Sequence, residues 1–198
     1  VNGQAQYNVM CYKDGGIVDD LLVYKLEDQH YLLVVNAGNI EKDFEWMKEN
    51  IIDEVELNNS SNDYGLLALQ GPKAQEILQK LTTQDLADIK FFRFKDKVEV
   101  AGKEVIVSRT GYTGEDGFEI YASHDLTCKL WDQLMDSGKA APCGLGCRDT
   151  LRFEVGLPLY GDELSEEITP IEACLGIFVK TDKEEFIGKD VVKKQKDE

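Results

Sequence analysis

Three glycines spaced three apart, Gly111, Gly114 and Gly117, interrupt two β-prone runs and limit what this chain can fold into. Val105-Ile-Val107 leads into the stretch and Phe118-Glu-Ile-Tyr121 leads out, so residues 108–121 read as a crossing between two strands. Glycine tolerates positive φ and lets backbone approach a neighbour closely, which makes such a crossing a candidate pocket wall. Glu119 falls between Phe118 and Ile120, and alternate residues of a strand face opposite sides. In a sheet covered on both faces its carboxylate is at least partly buried, and buried carboxylates are usually paired or functional. The other reading is an ordinary hairpin with Glu119 on a solvated face. The spacing matches neither a P-loop, which needs Gly-Lys-Ser/Thr, nor the G-x-G-x-x-G turn of a dinucleotide fold.

A chain of 198 residues, 42% hydrophobic and 30% charged, has apolar material for one large or two small globular domains. Its formal net charge of −16 opposes nucleic acid and anionic lipid, so neither is expected as a partner. Against that field an anionic ligand needs local positive charge. Arg109, Arg148 and Arg152 lie in or near glycine-rich stretches, and Arg93 is the only other arginine. Cys11, Cys128, Cys143, Cys147 and Cys174 contain no C-x-x-C pair and do not cluster with His30 or His124. A metal site and a disulfide framework are therefore not expected, and a reducing compartment is. No segment is long and apolar enough to be read as a membrane-spanning helix. The chain opens on Val1 with residues that already lead into a strand, which suggests a fragment whose natural N-terminus is missing; core residues stop after Val192, so the domain is either ending or cut there.

Alternation and turn residues predict strands at 6–12, 17–25, 30–35, 64–70 and 118–121, with a hairpin over 97–108 about Ala101-Gly102. Helical spacing of apolar residues predicts helices at 40–52, 72–81, 125–135 and 147–155, the second with Pro72 at its first position. Strand-then-helix units at 31–52, 64–81 and 118–135, with hairpins between them, predict an α+β fold rather than a wound parallel sheet. Subdomain boundaries are expected near 57–63 and near 137–142.

Asp19 and Asp20 stand together inside an apolar strand, where period two sends them to opposite faces. One is expected to turn inward. Asp20, on the face of Leu22 and Tyr24, is the candidate, its pKa raised by burial unless a partner compensates. A bulge or edge strand that lets both acids out is the alternative. Asn36 or Asn39 is expected to cap the helix that follows, with Glu41 and Asp43 suiting its first turn. Arg148 and Arg152, four apart near a helix start, either hold a carboxylate or belong to an Arg-Asp surface network.

Six stretches in order resemble one family, the aminomethyltransferases (T-proteins) of the glycine cleavage system. They are Gly15-Gly-Ile-Val-Asp-Asp-Leu-Leu-Val-Tyr24, Val35-Asn-Ala-Gly-Asn39, Arg109-Thr-Gly-Tyr-Thr-Gly-Glu-Asp-Gly-Phe-Glu-Ile120, Cys143-Gly-Leu-Gly-Cys-Arg-Asp-Thr-Leu-Arg152, Gly156-Leu-Pro-Leu-Tyr-Gly161 and Ile168-Thr-Pro-Ile-Glu-Ala173. The resemblance runs from about residue 3 to about residue 190. It implies one incomplete folate-binding domain over residues 1–198, α+β with antiparallel sheets and a ferredoxin-like subdomain, truncated at both ends. The family's N-terminal segment and C-terminal barrel domain would lie outside it, and a piece of this kind is expected to be weak or inactive.

The reaction implied moves the methylene of an aminomethyl group from the lipoyl arm of H-protein to tetrahydrofolate, giving 5,10-methylenetetrahydrofolate and ammonia. By resemblance, Asp20 is the catalytic residue, orienting the folate and assisting proton movement. Asn36 contacts the pterin and Glu119 hydrogen-bonds its ring. Tyr7, Tyr24 and Tyr112 line the folate pocket, and Arg148 lies near the folate and lipoyl entrance. The implied co-substrate is tetrahydrofolate, the implied partner the lipoyl-bearing H-protein, and the implied compartment the bacterial cytoplasm, or in a eukaryote the mitochondrial matrix. Folate domains of dimethylglycine and sarcosine dehydrogenases share the Asp-Asp strand, so the alternative is a folate-binding module without transferase activity. Cys147 departs from the family, which usually has a small residue such as alanine there; cysteine is small enough to be tolerated.

Overall fold

The computed structural model describes residues 1–52 and 54–198. Two compact units divide the chain. The first comprises residues 1–5, 24–31 and 60–157, and the second residues 6–23, 32–59 and 158–198. Residues 137–142 thus lie inside the first unit, and the chain leaves that unit after Leu157.

The first unit is built on a four-stranded sheet, β4 (Gly65–Gln70), β7 (Gly117–Ala122), β6 (Lys103–Ser108) and β5 (Phe94–Val100), in that spatial order and antiparallel throughout. Along the chain the order is strand, α2 (Ala74–Leu78), three strands, then α3 (His124–Asp136). This is a variation on the ferredoxin-like β-α-β-β-α-β, with a third consecutive strand before the second helix. Period two gives β7 its two roles. Phe118, Ile120 and Ala122 enter the core with Val105 and Val107, against Leu78 of α2 and Leu130 and Leu134 of α3. Glu119 and Tyr121 point to the other face. The hairpin turn places Ala101 and Gly102 at φ 51° and 77°, as its sequence predicts, while a bulge shifts the β5–β6 register between Lys95 and Val98. Helix α2 starts two residues later than the Pro72 signal implies, and a 3-10 turn at Gln79–Leu81 completes it. Helix α4 (Leu145–Glu154) also belongs to this unit.

The second unit holds most of the three-stranded sheet β1 (Gln4–Cys11), β2 (Ile17–Glu27) and β3 (His30–Val34), with β2 central. Helix α1 (Ile40–Glu49) follows a 3-10 turn at Ala37–Asn39. Ile17, Leu164 and Leu175 form a small core, joined by Tyr7, Val9, Tyr160 and Ala173. The charged C-terminal stretch, for which the sequence predicts no element, is α5 (Lys189–Asp197). Its Val192 is fully buried, and a Cβ on Gly15 would stand 3.0 Å from Val191.

Candidate functional site

In the second unit β2 delivers two adjacent carboxylates to one set of amides. Asp20 is half-buried and Asp19 is 0% exposed, so the acid expected to be the outward one is the more deeply buried. A central strand covered on both faces has no solvated side, which is why neither acid escapes. Asn36 holds both. Its Nδ2 donates to Asp19 Oδ1 (2.8 Å), Asp20 Oδ1 (2.9 Å) and the Asp20 carbonyl (3.2 Å), and its backbone N–H donates to Asp19 Oδ2 (3.3 Å). Asn39 Nδ2 adds a bond to Asp19 Oδ1 at 3.0 Å. Neither asparagine caps a helix with its side chain, contrary to the sequence expectation. A buried carboxylate recruits an amide more strongly than an exposed helix end does.

Tyr7 Oη donates to the other oxygen of Asp20, Oδ2, at 3.0 Å, and the Tyr7 ring packs edge-on against Phe178 with centroids 4.8 Å apart. Burial raises the pKa of Asp20, the bonds from Asn36 and Tyr7 lower it, and the charge of Asp19 raises it again, with a net rise. The result is a carboxylate held at both oxygens and more basic than a free aspartate.

The first unit carries the remaining candidates. Glu119 stands opposite Ser108 on β6 and Ala68 on β4, on the face of the sheet away from the main core, and is partly buried there, as the sequence reading anticipates. Thr110 Oγ1 donates to Glu119 Oε2 at 2.5 Å. Burial raises the Glu119 pKa, opposed by Thr110, by the Arg148 charge and by Tyr121. Tyr24 lies beneath this group. Its hydroxyl is 2.9 Å from Tyr121 Oη and 3.3 Å from Thr110 Oγ1, and its ring packs on Phe94 at 4.9 Å. Tyr24 has no exposed surface, so it offers a hydroxyl to the Thr110–Tyr121 network rather than a ring face to a ligand. Arg148, exposed on α4, stacks over the Tyr112 ring at 4.6 Å.

Arg109 and Arg152 are committed elsewhere. Arg109 clamps Asp116 through two bonds, Nε to Oδ1 (2.8 Å) and Nη2 to Oδ2 (2.7 Å), and also donates to Gln75 and the Ile89 carbonyl. Arg152 is buried, binding Asp149 at 2.8 Å and the Leu157 carbonyl at 3.2 Å, so of the two sequence readings it takes the Arg-Asp pairing.

Two residues escape sequence reasoning. The Gln70 side chain fills the space between Gly111 and Gly117, where added Cβ atoms would come within 1.9 and 2.5 Å of it. Its Nε2 donates to the Thr110 carbonyl at 3.1 Å, and its Oε1 accepts from Thr113 Oγ1 at 3.2 Å. These glycines make room for a side chain of the protein itself. No local pattern announces it. Asp43 is the other: α1 places it among buried groups, although it suits a solvated first turn. Its position three after Ile40 and four before Met47, on the apolar stripe, is the signal that finds it.

The chain is an antiparallel α+β protein in which amides and tyrosines hold partly or fully buried carboxylates. No cluster of three metal-ligating side chains exists among the described residues. The chain belongs to the GCVT N-terminal domain family, whose profile matches residues 1–183. It is 61% identical over its whole length to an aminomethyltransferase of Anoxybacillus flavithermus, and 62% identical to that of Thermoanaerobacter pseudethanolicus, covering 55% of each. The crystal structure of glycine cleavage system aminomethyltransferase T from Bartonella henselae superposes with a TM-score of 0.86 at 30% identity, over 100% of this chain and 54% of that one. The chain spans about half the length of the curated relatives it matches.

Proposed function

We propose that residues 1–198 are part of the folate-binding domain of an aminomethyltransferase of the glycine cleavage system. The methylene of an aminomethyl group on the lipoyl arm of H-protein passes to tetrahydrofolate. Bonds form from that carbon to N5 and N10 of the folate, while its bonds to sulfur and to the amino nitrogen break. The two folate nitrogens each lose a proton; one goes to the departing sulfur and the other leaves with ammonia.

The observation that carries this reading is the Asp20 carboxylate. A base helps a proton transfer only when it is positioned and its pKa is raised toward the working pH. Tyr7 and Asn36 hold Asp20 at both oxygens, and burial raises its pKa. Asp20 is thus the catalytic residue of the proposal, orienting the folate and assisting its proton loss. Glu119, a carboxylate acceptor in a buried strand, suits the amide-like donors of the pterin ring, and Asn36 adds a further polar contact. Tyr112 and Arg148 present a stacked cation and ring, and Tyr7 an aromatic edge. Relatives named aminomethyltransferase at about 60% identity support the reading.

Asp20→Asn in the full-length protein tests it. Transfer to tetrahydrofolate is expected to fall about a hundredfold or more, while the calorimetric folate affinity changes severalfold at most. Equal losses in both would make Asp20 a binding residue only. Binding without turnover by the wild type would favour a module that holds folate and transfers nothing.

A further inference from the structure

Asp43 is a buried acid that the proposed reaction does not use. It is 0% exposed, and neither carboxylate oxygen finds a hydrogen-bond donor. The nearest cation, Lys42 Nζ, stands 3.6 Å from Oδ1, but it donates to the Val18 carbonyl and lies over the Tyr160 ring at 4.0 Å. Across from α1 is Asp19 of β2, also 0% exposed and within hydrogen-bonding reach of Asp43. Asp19 Oδ1 already receives two amide bonds, whereas Oδ2 receives only the Asn36 N–H at 3.3 Å. Tyr12 lies within electrostatic range of Asp43, and also of Lys42, Tyr160 and Glu166. Two carboxylates in contact away from water cannot both stay ionised.

We propose that Asp43 keeps a proton at neutral pH and donates it to Asp19, and that this shared proton positions Asn36 against Asp20. A protonated Asp43 donates to Asp19 and leaves that carboxylate, which already accepts from Asn36 and Asn39, as the acceptor that orients the Asn36 amide. That amide then sets the direction of Asp20. Asp43 is a positioning residue, and its bearing on catalysis rests on the folate-transfer reading above. Burial, followed by the hydrogen bond with Asp19 and that residue's charge, pushes the Asp43 carboxyl up to about 8, against a smaller pull downward from Lys42.

The test is a pH titration of the full-length protein labelled with carbon-13 at the aspartate carboxyls and nitrogen-15 at the asparagine amides. One carboxyl is expected to remain protonated at pH 7 and to vanish from the spectrum of Asp43→Asn. The Asn36 side-chain amide is expected to shift at the same midpoint as that carboxyl. Every aspartate ionised below pH 5, or an Asn36 amide indifferent to the transition, overturns the proposal. In the transfer assay, Asp43→Asn keeps a donor toward Asp19 and should hold kcat within about threefold, whereas Asp43→Leu should lower kcat about tenfold or more with little change in KM. Equal kcat for the two variants refutes the positioning role. A shared proton found in a protein that binds no tetrahydrofolate would instead defeat the functional reading and leave the proton arrangement standing.

Discussion

Replacing Gly111 by alanine separates two reasons for a glycine in the 108–121 crossing. A Cβ there would lie 1.9 Å from Gln70 Oε1, so the glutamine must leave its place. Its bonds to the Thr110 carbonyl (3.1 Å) and from Thr113 (3.2 Å) go with it. Each such bond contributes about 0.5–1.5 kcal/mol, so Gly111→Ala should cost about 1–3 kcal/mol. Gln70→Ala removes the same bonds without a clash and should cost about as much. Gly111 does not adopt a left-handed backbone. In the Gln70→Ala background the three atoms nearest the added methyl are gone, and Gly111→Ala should instead stabilise by about 0.4–1 kcal/mol through the unfolded chain. The same substitution changes sign between the two backgrounds.

Thermal unfolding of the four proteins reads this directly, at about 2–4 °C per kcal/mol for a chain of this size. An equal cost for Gly111→Ala with and without Gln70 would refute the reasoning. A variant of unchanged stability that loses tetrahydrofolate affinity would mean the glycine admits a ligand rather than Gln70.

Asp43→Asn should gain stability relative to the wild type as pH rises. The folded-state pKa of Asp43 lies above its unfolded value, so wild-type stability from this group is fully present below the ordinary aspartate value of 3.8 and drains away up to about pH 8. The slope is at most about 1.4 kcal/mol per pH unit, and a flat difference between urea midpoints at pH 5 and pH 8 would contradict it. Asp116→Asn acts in the opposite sense. Pairing with Arg109 lowers the Asp116 pKa, so the ion pair stabilises above the usual carboxylate pKa and is lost as pH falls through the lowered one. Because Asp116 is partly exposed, the variant should lose about 1 kcal/mol at pH 7, with the gap narrowing as acid protonates Asp116; a gap that does not change with pH would show that the loss is not electrostatic.

The local elements were legible because they rest on neighbours in sequence. Alternation in 17–25, the Ala101-Gly102 turn and the apolar stripe of 125–135 each involve residues within a few positions, and β2, the β5–β6 hairpin and α3 fall close to where these signals put them. Asp20 and Glu119 could be singled out because a polar residue inside an apolar run has few uses other than a buried bond, whereas Asn36 was singled out only through the family resemblance. The partners of those residues were not legible. Asn36 reaches Asp19 across seventeen positions and Gln70 reaches Thr110 across forty, and local periodicity carries no record of such pairings. That is why the two asparagines read as helix caps, and why a carboxylate clamp and an Arg-Asp network both stayed open for Arg148 and Arg152.

The sequence by itself determined most of the strands and helices and that an acid of the Asp19-Asp20 pair must be turned inward, since both follow from period and polarity along the chain. Only the tertiary structure decided that Asp19 lies deeper than Asp20, that Asp43 faces Asp19, and that Gln70 occupies the room the glycines leave. These depend on which surfaces meet when the elements pack. The free energy of a buried charge is set by the groups brought around it, not by its neighbours in the chain.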